Sequence, residues 1–479
     1  MPDILLTTIN AKWIHPSLAL RLLKANLGHL EDRAEILEFA LRQPMDVKIK
    51  TIFDAKPKIL GVSVSIWNHQ QTLEVLDQLE TLWNAETPRP VIILGGPEAG
   101  QLEKDLPLYK AADWIINGEG EDVFRELCEI FLTPRSLRHS KGPCDFEYFN
   151  HQLQNNRFIK SIDEKTITSR QVNLETIDPA YRLYTDEDVE RKLTYVESSR
   201  GCPFGCEFCL SSLDRQVRYF PLDDFLENMK QLIHRGAKGF KFLDRTFNLD
   251  FDRAKLIMEF FLRNIKAPMY VHFEMVPSRF PDELRSLLTQ FPEGTLRLEV
   301  GIQTFNPLAA KIIGRPSDPK KELESLAFLK NKTNAIVHAD LIAGLPGEDY
   351  ASFAEGFDRL WSVRPTEIQM GILKRLPGTP ICQRDSEHGM MYSAEPPYEV
   401  MQTNAVSKHD MDRMKNFARF WELIVNRGHF EDFSEKIFPE DKAIFHRFMK
   451  LSDWLLKKFG QNWGIDRKLL REALEEWDV

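Results

Sequence analysis

Three cysteines lie within eight consecutive positions, and their spacing is suited to binding an iron–sulfur cluster. They are Cys202, Cys206 and Cys209. A C-x3-C-x2-C loop can direct three thiolates to three irons of one [4Fe–4S] cluster, and Gly201 and Gly205 permit sharp backbone turns. The fourth iron then lacks a ligand from the loop and is open for chemistry. The pattern therefore predicts a reactive iron–sulfur site.

Zinc is the main alternative for this loop. Zinc usually takes four protein ligands in a structural site, or three and a water molecule in a catalytic one. The loop has no second C-x2-C motif, and the next histidine along the chain is His234. Three unrelated buried cysteines would explain such close spacing less well. The iron–sulfur interpretation is favoured, with zinc as the weaker alternative.

The elements that must position this loop alternate between strand and helix patterns from residue 191 to about residue 390. The strand candidates are Thr194–Glu197, Gly239–Leu243, Tyr270–Met275, Leu296–Val300, Ile336–Ile342 and Glu367–Leu373. Six such units are too few for a closed eight-stranded barrel. We therefore expect a partial (β/α)6 TIM-like barrel over residues 191–390.

Polar residues alternate with apolar ones along the barrel strands. The polar parity contains Tyr270, His272, Glu274, Arg297, Glu299, His338, Asp340, Glu367 and Gln369. If the apolar parity packs under the helices, the polar parity faces the barrel axis. Unpaired buried polar groups cost about 1–3 kcal/mol each. The alternation thus predicts an interior that binds a polar ligand, with an internal lattice of ion pairs as the alternative.

Residues 1–135 predict a different α/β domain. Five short apolar strand patterns alternate with helix patterns, which is typical of a doubly wound, Rossmann-like sheet whose ligands bind beyond the carboxyl ends of the strands. Polar, aromatic and glycine residues follow four of these strands. They are Asn10, Trp13, Ser63, Ser65, Trp67, Gly95, Gly96, Gly118 and Glu119. There is no G-x-G-x-x-G motif, so a dinucleotide is not indicated.

The other segments are less specific. Residues 136–190 are irregular and predict a linker or strap with a hairpin around Phe158–Val172. Residues 391–479 predict a helical C-terminal domain whose aromatic residues form core. The net charge of −9 argues against a nucleic-acid footprint built on bulk positive charge. With no apolar run of about 20 residues, no signal-peptide pattern and scattered remaining cysteines, we expect a cytoplasmic enzyme without membrane spans or disulfides.

The cysteine loop, the polar partial barrel and the doubly wound domain together resemble the cobalamin-binding radical SAM superfamily. The resemblance implies that Cys202, Cys206 and Cys209 hold the cluster, whose open iron binds S-adenosylmethionine (SAM). It implies SAM contacts in the barrel, and His272 and Glu274 as residues orienting SAM or substrate. The expected SAM contacts are Phe208, Asp244, Glu299, Gln303, Ile342 and Gly344.

The same resemblance assigns the loops of the first domain to cobalamin. Asn10, Trp13, Ser63, Ser65, Trp67, Gly95, Gly96, Gly118 and Glu119 match the corrin-contacting segments. The D-x-H-x-x-G string that supplies a cobalt-binding histidine in part of the superfamily is absent from this sequence. His15 follows the first strand but lacks the accompanying aspartate and glycine. We therefore expect cobalamin bound without a protein histidine ligand.

The resemblance implies an activity. The expected enzyme cleaves SAM reductively to a 5′-deoxyadenosyl radical and methylates an unactivated carbon of an unknown small molecule or peptide. A flavodoxin or ferredoxin would supply the electron. Cobalamin-assisted cyclisation or rearrangement is one alternative. Another is RNA modification by a radical SAM enzyme with a vestigial cobalamin domain, against which the acidic balance counts.

Overall fold

The computed structural model describes residues 1–84, 86–133, 153, 156–439 and 443–477. These residues form two compact units. The first contains residues 1–196 and 219–240, and the second contains residues 197–218 and 241–479. None of the helices in the described ranges is long and apolar enough to cross a bilayer.

A seven-stranded sheet forms the centre of the first unit. Its strands are β1 (Ile4–Asn10), β2 (Ala34–Ala40), β3 (Ile59–Ser63), β4 (Val91–Gly95), β5 (Trp114–Asn117), β6 (Ile159–Asp163) and β7 (Thr166–Ser169). Their order is β2-β1-β3-β4-β5-β7-β6. The β1 strand pairs in parallel with β2 on one side and β3 on the other. The strand order therefore reverses between β1 and β3, where doubly wound folds bind their ligands.

Seven α-helices belong to the described part of this unit. They are α1 (Leu18–Ala25), α2 (Met45–Ala55), α3 (His69–Leu82), α4 (Pro107–Ala111), α5 (Glu121–Leu132), α6 (Asp186–Arg191) and α7 (Leu222–His234). The helix predicted over residues 17–30 ends at Ala25, and a 3-10 turn follows over Gly28–Arg33. Gly28 has a φ of 58°, a left-handed conformation that cannot continue an α-helix.

The predicted hairpin is present and extends the first sheet. β6 and β7 pair antiparallel, and β7 pairs in parallel with β5. Ile159 and Ile167 are buried in the same apolar cluster as Trp114 and Phe124. The hairpin therefore completes the core of the first unit. Much of the segment before it, including Cys144, lies outside the described residues, and the proposed domain limits stay predictions.

A six-stranded sheet corresponds to the predicted partial barrel. Its strands are β8 (Thr194–Val196), β11 (Gly239–Phe242), β12 (Tyr270–Met275), β13 (Leu296–Gln303), β14 (Ile336–Ala343) and β15 (Glu367–Ile372). The order is β15-β14-β13-β12-β11-β8, so β8 and β15 are both edges and the sheet is open. Two short strands, β9 (Ser199–Arg200) and β10 (Arg218–Tyr219), pair outside it. All six predicted strands of the partial barrel are therefore present.

Five helices follow the strands of the second unit. They are α8 (Phe251–Asn264), α9 (Asp282–Leu288), α10 (Pro307–Ile312), α11 (Pro319–Lys332) and α12 (Tyr350–Trp361). Along β13 and β14, every second residue is buried, and these are the apolar ones, for example Leu298 and Val337 at 0% and 2% exposure. The apolar parity thus packs under the helices, as the alternation predicts.

The last part of the chain is mainly helical. It contains β16 (Met391–Tyr392), β17 (Val400–Gln402), α13 (Lys408–Trp421), a π-helical turn (Glu422–Asn426), α14 (Ser434–Ile437), α15 (Ile444–Phe459) and α16 (Arg467–Glu476). Its aromatic residues are mostly core: Trp421, Phe445 and Phe448 are buried. Trp463 is the exception, with 66% of its surface exposed.

Candidate active site

The cysteine loop is held in a defined shape by backbone contacts. The N–H of Cys202 donates to the carbonyl of Asp214 at 2.9 Å, and the N–H of Cys209 donates to the carbonyl of Cys206 at 3.1 Å. Gly201 has a φ of 92°, and a side chain there would collide with the carbonyl of Gln216. The predicted need for glycine at this turn is met, because L residues rarely adopt that conformation.

Gly205 serves a different purpose from the one expected. It does not have a positive φ among the described residues. A side chain at Gly205 would instead meet the guanidinium of Arg215, and the carbonyl of Gly205 lies 2.9 Å from the position of a Cβ on Gly314. The glycine therefore provides space for close packing of the loop.

The three thiols are near enough to influence one another. Burial raises the pKa of the Cys206 thiol, the Arg315 guanidinium opposes this, and the charges of Cys209 and Cys202 raise it further. Within the described ranges, no three His, Cys, Asp or Glu side chains are grouped to hold a single metal ion. A cluster has a different geometry, because each thiolate binds its own iron. The loop fits the cluster in residue type, glycine placement and thiol proximity.

Arg315 is a residue of this site that the sequence interpretation missed. Its Nη1 lies 3.9 Å from the Sγ of Cys206, and its Nη2 donates to the carbonyl of Gly301. The Nε atom is buried and has no hydrogen-bond partner in the described structure. An arginine set between Gly314 and Pro316 after a short helix was the available signal. Its positive charge suits a site that holds thiolates.

Asp244 lies directly behind the loop and is 2% exposed. Its Oδ2 accepts from the N–H of Ser198 at 2.9 Å, and its Oδ1 accepts from the hydroxyls of Ser198 and Ser199 at 2.7 and 2.6 Å. Burial raises its pKa, and these hydrogen bonds oppose the rise. In this structure Asp244 anchors the residues that precede the cysteines, and its expected contact with SAM stays a prediction.

Thr246 is a second residue near the loop that was not singled out from the sequence. Its Oγ1 lies 3.7 Å from the Sγ of Cys202, and the residue is 8% exposed. The β11 strand ends at Phe242, so both Asp244 and Thr246 belong to the segment that follows its carboxyl end. This segment therefore supports the cluster loop through side-chain contacts.

Glu299 is at the centre of the polar interior. Its Oε2 lies 3.4 Å from the Nε2 of His272 and 3.3 Å from the Nζ of Lys241. These neighbours lower the pKa of Glu299 to about 2, with the His272 contact as the largest cause. Burial lowers the pKa of His272. Glu299 is therefore an ionised acceptor at neutral pH, beside a neutral imidazole.

Two further carboxyl groups face Glu299 from the neighbouring strands. Burial and the charge of Glu299 raise the pKa of Glu274 to about 7, although Arg245 opposes this from 3.9 Å. Burial, then the charges of Glu299 and Glu274, raise the pKa of Asp340 well above its usual value. The Oδ1 of Asp340 is buried and has no hydrogen-bond partner in the described part of the chain. The three acids thus leave room for a ligand that donates hydrogen bonds.

The lower part of the same interior is more completely paired. The Nε2 of His338 lies 3.5 Å from Glu367, and its Nδ1 lies 3.0 Å from the amide nitrogen of Gln369. Burial lowers the pKa of His338 to about 4. The guanidinium of Arg297 stacks 3.9 Å from the ring centroid of Tyr270. The interior combines ion pairs with unsatisfied acceptors, so neither sequence-based alternative describes all of it.

The other residues expected to contact SAM lie around this interior. Gln303 ends β13 with a φ of 72°, and its amide is against Gly301. Gly344 has a φ of 85°, and a Cβ there would lie 2.5 Å from Val400 Cγ1. Phe208 and Ile342 are partly buried. Their contacts with SAM stay predictions.

In the first unit, the loops assigned to cobalamin follow β1, β3, β4 and β5, which are adjacent in the sheet. Trp13 and Trp67 follow β1 and β3, on the two sides of the point where the strand order reverses. They are 50% and 52% exposed. The Nζ of Lys192 lies 5.1 Å from the ring centroid of Trp13. Exposed tryptophans at this edge fit a large ligand with apolar surface.

The polar residues at this edge shape the loops. Asn68, which is 1% exposed, donates to the carbonyls of Ile9 and Ser63 and accepts from the N–H of Ser65 at 2.8 Å. The amide of Asn10 donates to Glu38 at 3.0 Å. Asn68 links three loop segments and was not among the predicted contacts, because its role depends on residues about sixty positions away.

The glycines here differ from one another. A Cβ on Gly95 would meet no atom within 4 Å, so its backbone is open to a ligand. Gly96 has a φ of 97°, and a Cβ there would lie 2.5 Å from the carbonyl of Val64. Gly118 also has a positive φ, 102°, and Glu119 accepts from the N–H of Val172 at 2.7 Å. Gly95 supports the expectation of close ligand approach, whereas Gly96 and Gly118 are required by the backbone itself.

His15 lies in the loop after β1. Its Nδ1 is 2.9 Å from the hydroxyl of Tyr195. The sequence interpretation did not identify Tyr195. Cobalamin binding without a protein histidine stays a prediction.

Family models match three parts of the chain. A B12 binding domain matches residues 4–128, the radical SAM superfamily matches residues 196–360, and a protein of unknown function (DUF4080) matches residues 386–477. The first two models cover the two α/β sheets described above, apart from the β6–β7 hairpin and the edge strands β8 and β15.

Two relatives are described as methyltransferases. An uncharacterized methyltransferase of Pyrococcus horikoshii is 27% identical over 270 residues, which are 54% of this chain and 54% of that protein. The chain therefore spans about half the length of that relative. A bacteriochlorophyllide d C-12(1)-methyltransferase of Chlorobaculum tepidum is 22% identical over 391 residues, covering 74% of this chain and 77% of that protein.

Two solved structures share the fold. The cobalamin-dependent SAM radical enzyme OxsB has a TM-score of 0.64 and 15% identity, over 99% of this chain and 75% of that one. The radical SAM methyltransferase TsrM of Kitasatospora setae has a TM-score of 0.59 and 16% identity, over 85% and 81%. With a B12-binding domain and a radical SAM domain in one chain, the protein belongs to the cobalamin-binding radical SAM superfamily.

Proposed function

We propose that this protein is a cobalamin-dependent radical SAM methyltransferase that acts on an unactivated carbon of a small molecule or peptide. The observation that carries the proposal is the cysteine loop, with three thiols near one another behind which Asp244 and Thr246 are fixed. The names of the Pyrococcus and Chlorobaculum relatives and of TsrM support methyl transfer.

The chain supplies residues for each cofactor. Cys202, Cys206 and Cys209 would hold the cluster, and the residues around Trp13, Trp67 and Gly95 would bind cobalamin. When bound, the cluster supplies the electron for reductive SAM cleavage and cobalamin carries the methyl group. The protein holds the reactants in position and excludes water.

The polar interior would orient SAM and substrate. Glu299 is ionised at neutral pH and can accept hydrogen bonds from hydroxyl groups. The Glu274 carboxyl, with a pKa of about 7, can hold or release a proton near neutral pH. Neutral His272 can donate or accept a hydrogen bond beside them. We propose that this set binds the polar groups of SAM and substrate, with a flavodoxin or ferredoxin as reductant in the cytoplasm.

The first experiment is anaerobic reconstitution with iron, sulfide and hydroxocobalamin, followed by quantification of iron, sulfide and cobalt. About four irons and one cobalamin per chain support the proposal. Four irons without cobalamin would contradict the cobalamin-dependent reaction. Cys206→Ala should lose the cluster and SAM cleavage, whereas Cys382→Ala, which changes a cysteine outside the loop, should keep both.

A second measurement follows the methyl group. The reconstituted enzyme is incubated with SAM labelled in the methyl group, a reductant and extracts of small molecules and peptides. A product that carries the label supports methyl transfer. A product of unchanged or oxidised mass without the label would indicate cyclisation or rearrangement instead. The spectrum of bound cobalamin in His15→Ala should equal that of the parent protein if no histidine binds cobalt.

A further inference from the structure

Glu207 lies inside the cysteine loop, between Cys206 and Cys209, and is fixed by residues from two other segments. Its N–H donates to the carbonyl of Ile313 at 2.9 Å. Its carbonyl accepts from the N–H of Ile381 at 3.0 Å. Its carboxylate is bound by Arg384, with Nε at 2.9 Å from Oε2 and Nη2 at 2.7 Å from Oε1. Every polar group of Glu207 is thus engaged.

The Arg384–Glu207 contact has the geometry of a strong ion pair. Two parallel N–H donors meet the two carboxylate oxygens, an arrangement that fixes orientation as well as charge. The Glu207 side chain is 17% exposed and the Arg384 side chain 35% exposed. Arg384 also contacts Glu387 at 3.1 Å. The pair joins residues 177 positions apart, so it ties the cysteine loop to the segment that follows the last barrel strand.

The charge of Glu207 matters because of its position. A carboxylate one residue from Cys206 and two from Cys209 would oppose the addition of an electron to a cluster bound there. Net charge and hydrogen bonding around a cluster set its reduction potential. A guanidinium paired with that carboxylate compensates its charge. The same contact can therefore position the loop and make the cluster easier to reduce.

We propose that Arg384 is a positioning residue for the cluster loop, which fixes Glu207 and neutralises its charge beside the cluster. This inference rests on the proposed cluster ligands Cys202, Cys206 and Cys209. Iron analysis of Cys206→Ala tests those ligands separately. The two hypotheses can therefore fail independently.

The test is the reduction potential of the reconstituted cluster in Arg384→Gln, Glu207→Gln and the double variant. The potential is measured by anaerobic titration, with the electron paramagnetic resonance signal of the reduced cluster as the readout. Arg384→Gln leaves the carboxylate uncompensated and should lower the potential. Glu207→Gln leaves the guanidinium uncompensated and should raise it. The double variant should return close to the parent value.

Two further variants separate charge from geometry. Arg384→Lys keeps the charge but loses the two-pronged contact, so its potential should stay near the parent value while iron is lost faster to a chelator. Arg413→Gln breaks a similar contact, in which Nη2 lies 2.7 Å from Asp453 between α13 and α15. It should leave the potential unchanged.

The proposal is wrong if both single variants move the potential in the same direction, or if neither differs from Arg413→Gln. If Arg384→Gln cannot hold a cluster, the comparison of Glu207→Gln with Arg384→Lys still decides. A potential that does not rise in Glu207→Gln would then overturn the inference.

Discussion

The carboxylate of Asp244 binds both the backbone N–H and the hydroxyl of Ser198, at 2.9 and 2.7 Å. Ser198 is 2% exposed, and the cysteine loop begins four residues later. The superfamily resemblance predicted that Asp244 contacts SAM. Its position instead makes it a support for the loop, because both oxygens are engaged within the protein.

Asp244→Asn should therefore affect the cluster before it affects SAM. The variant keeps the size of the side chain but loses charge-assisted acceptors for Ser198 and Ser199, which leaves buried donors poorly paired. We expect a loss of roughly 2 kcal/mol in the free energy of unfolding and faster iron loss. SAM affinity, measured on protein that still holds four irons, should change less than threefold.

Ser199→Ala is the matched control for this variant, since it removes only one of the three donors to Asp244. It should cause a smaller loss of stability and of iron. If Asp244→Asn kept its iron but bound SAM more than tenfold more weakly, Asp244 would contact SAM directly and the support role would be wrong.

Much of the second unit could be predicted from the sequence, because its strands have a simple period. The alternation His272, Glu274 and then Arg297, Glu299 placed polar groups on one face, and the structure brings Glu299 and His272 to 3.4 Å. The six strands and their open edges followed from the same pattern.

Contacts between distant residues could not be predicted in this way. Arg315 reaches Cys206 over 109 positions, and Lys241 reaches Glu299 over 58. Neither contact has a periodic signature, since each depends on how loops pack after the strands form. The same limit explains why Asp244 was expected to contact a ligand although it binds Ser198.

Trp67→Ala should weaken cobalamin binding. The side chain is 52% exposed at the edge where β1 and β3 diverge, so it is available to cover an apolar ligand surface. Burying about 100 Å² of aromatic surface contributes roughly 2 kcal/mol, and we expect cobalamin affinity to fall about tenfold or more. Retention of cobalamin after gel filtration and its dissociation constant are the measurements.

Trp463→Ala is the control, because Trp463 is 66% exposed in the C-terminal region. It should leave cobalamin affinity unchanged. Equal effects of the two substitutions would show that Trp67 has no special role in the binding.

Gly95→Val and Gly96→Ala should separate ligand space from backbone strain. A Cβ on Gly95 meets nothing within 4 Å, so Gly95→Val should keep the melting temperature of the cofactor-free protein while it weakens cobalamin binding. Gly96 has a φ of 97°, and a Cβ there would crowd Val64, so Gly96→Ala should lower the melting temperature directly.

Both variants are compared with the parent protein with and without cobalamin. Unchanged cobalamin affinity in Gly95→Val would contradict the assignment of this loop to the cofactor. A melting temperature lowered equally in both variants would contradict the structural difference between the two glycines.

Glu348 should make stability depend on pH. It is 3% exposed, its Oε1 accepts from Thr304 at 2.6 Å, and its Oε2 has no hydrogen-bond partner among the described residues. Burial raises the pKa of Glu348 to about 7. The folded protein therefore prefers the protonated carboxyl. Its stability should decrease as the pH rises from about 4.5, the unfolded value, through 7.

Glu348→Gln removes this titration. Its free energy of unfolding, relative to that of the parent protein, should rise by roughly 2 kcal/mol between pH 5 and pH 8. Denaturant unfolding at the two pH values measures the difference. Asp318→Asn, which changes an exposed helix cap, should not show this rise, because the pKa of Asp318 is lowered and its titration is complete below pH 5. A constant difference between Glu348→Gln and the parent would mean that Glu348 is ionised throughout, despite its burial.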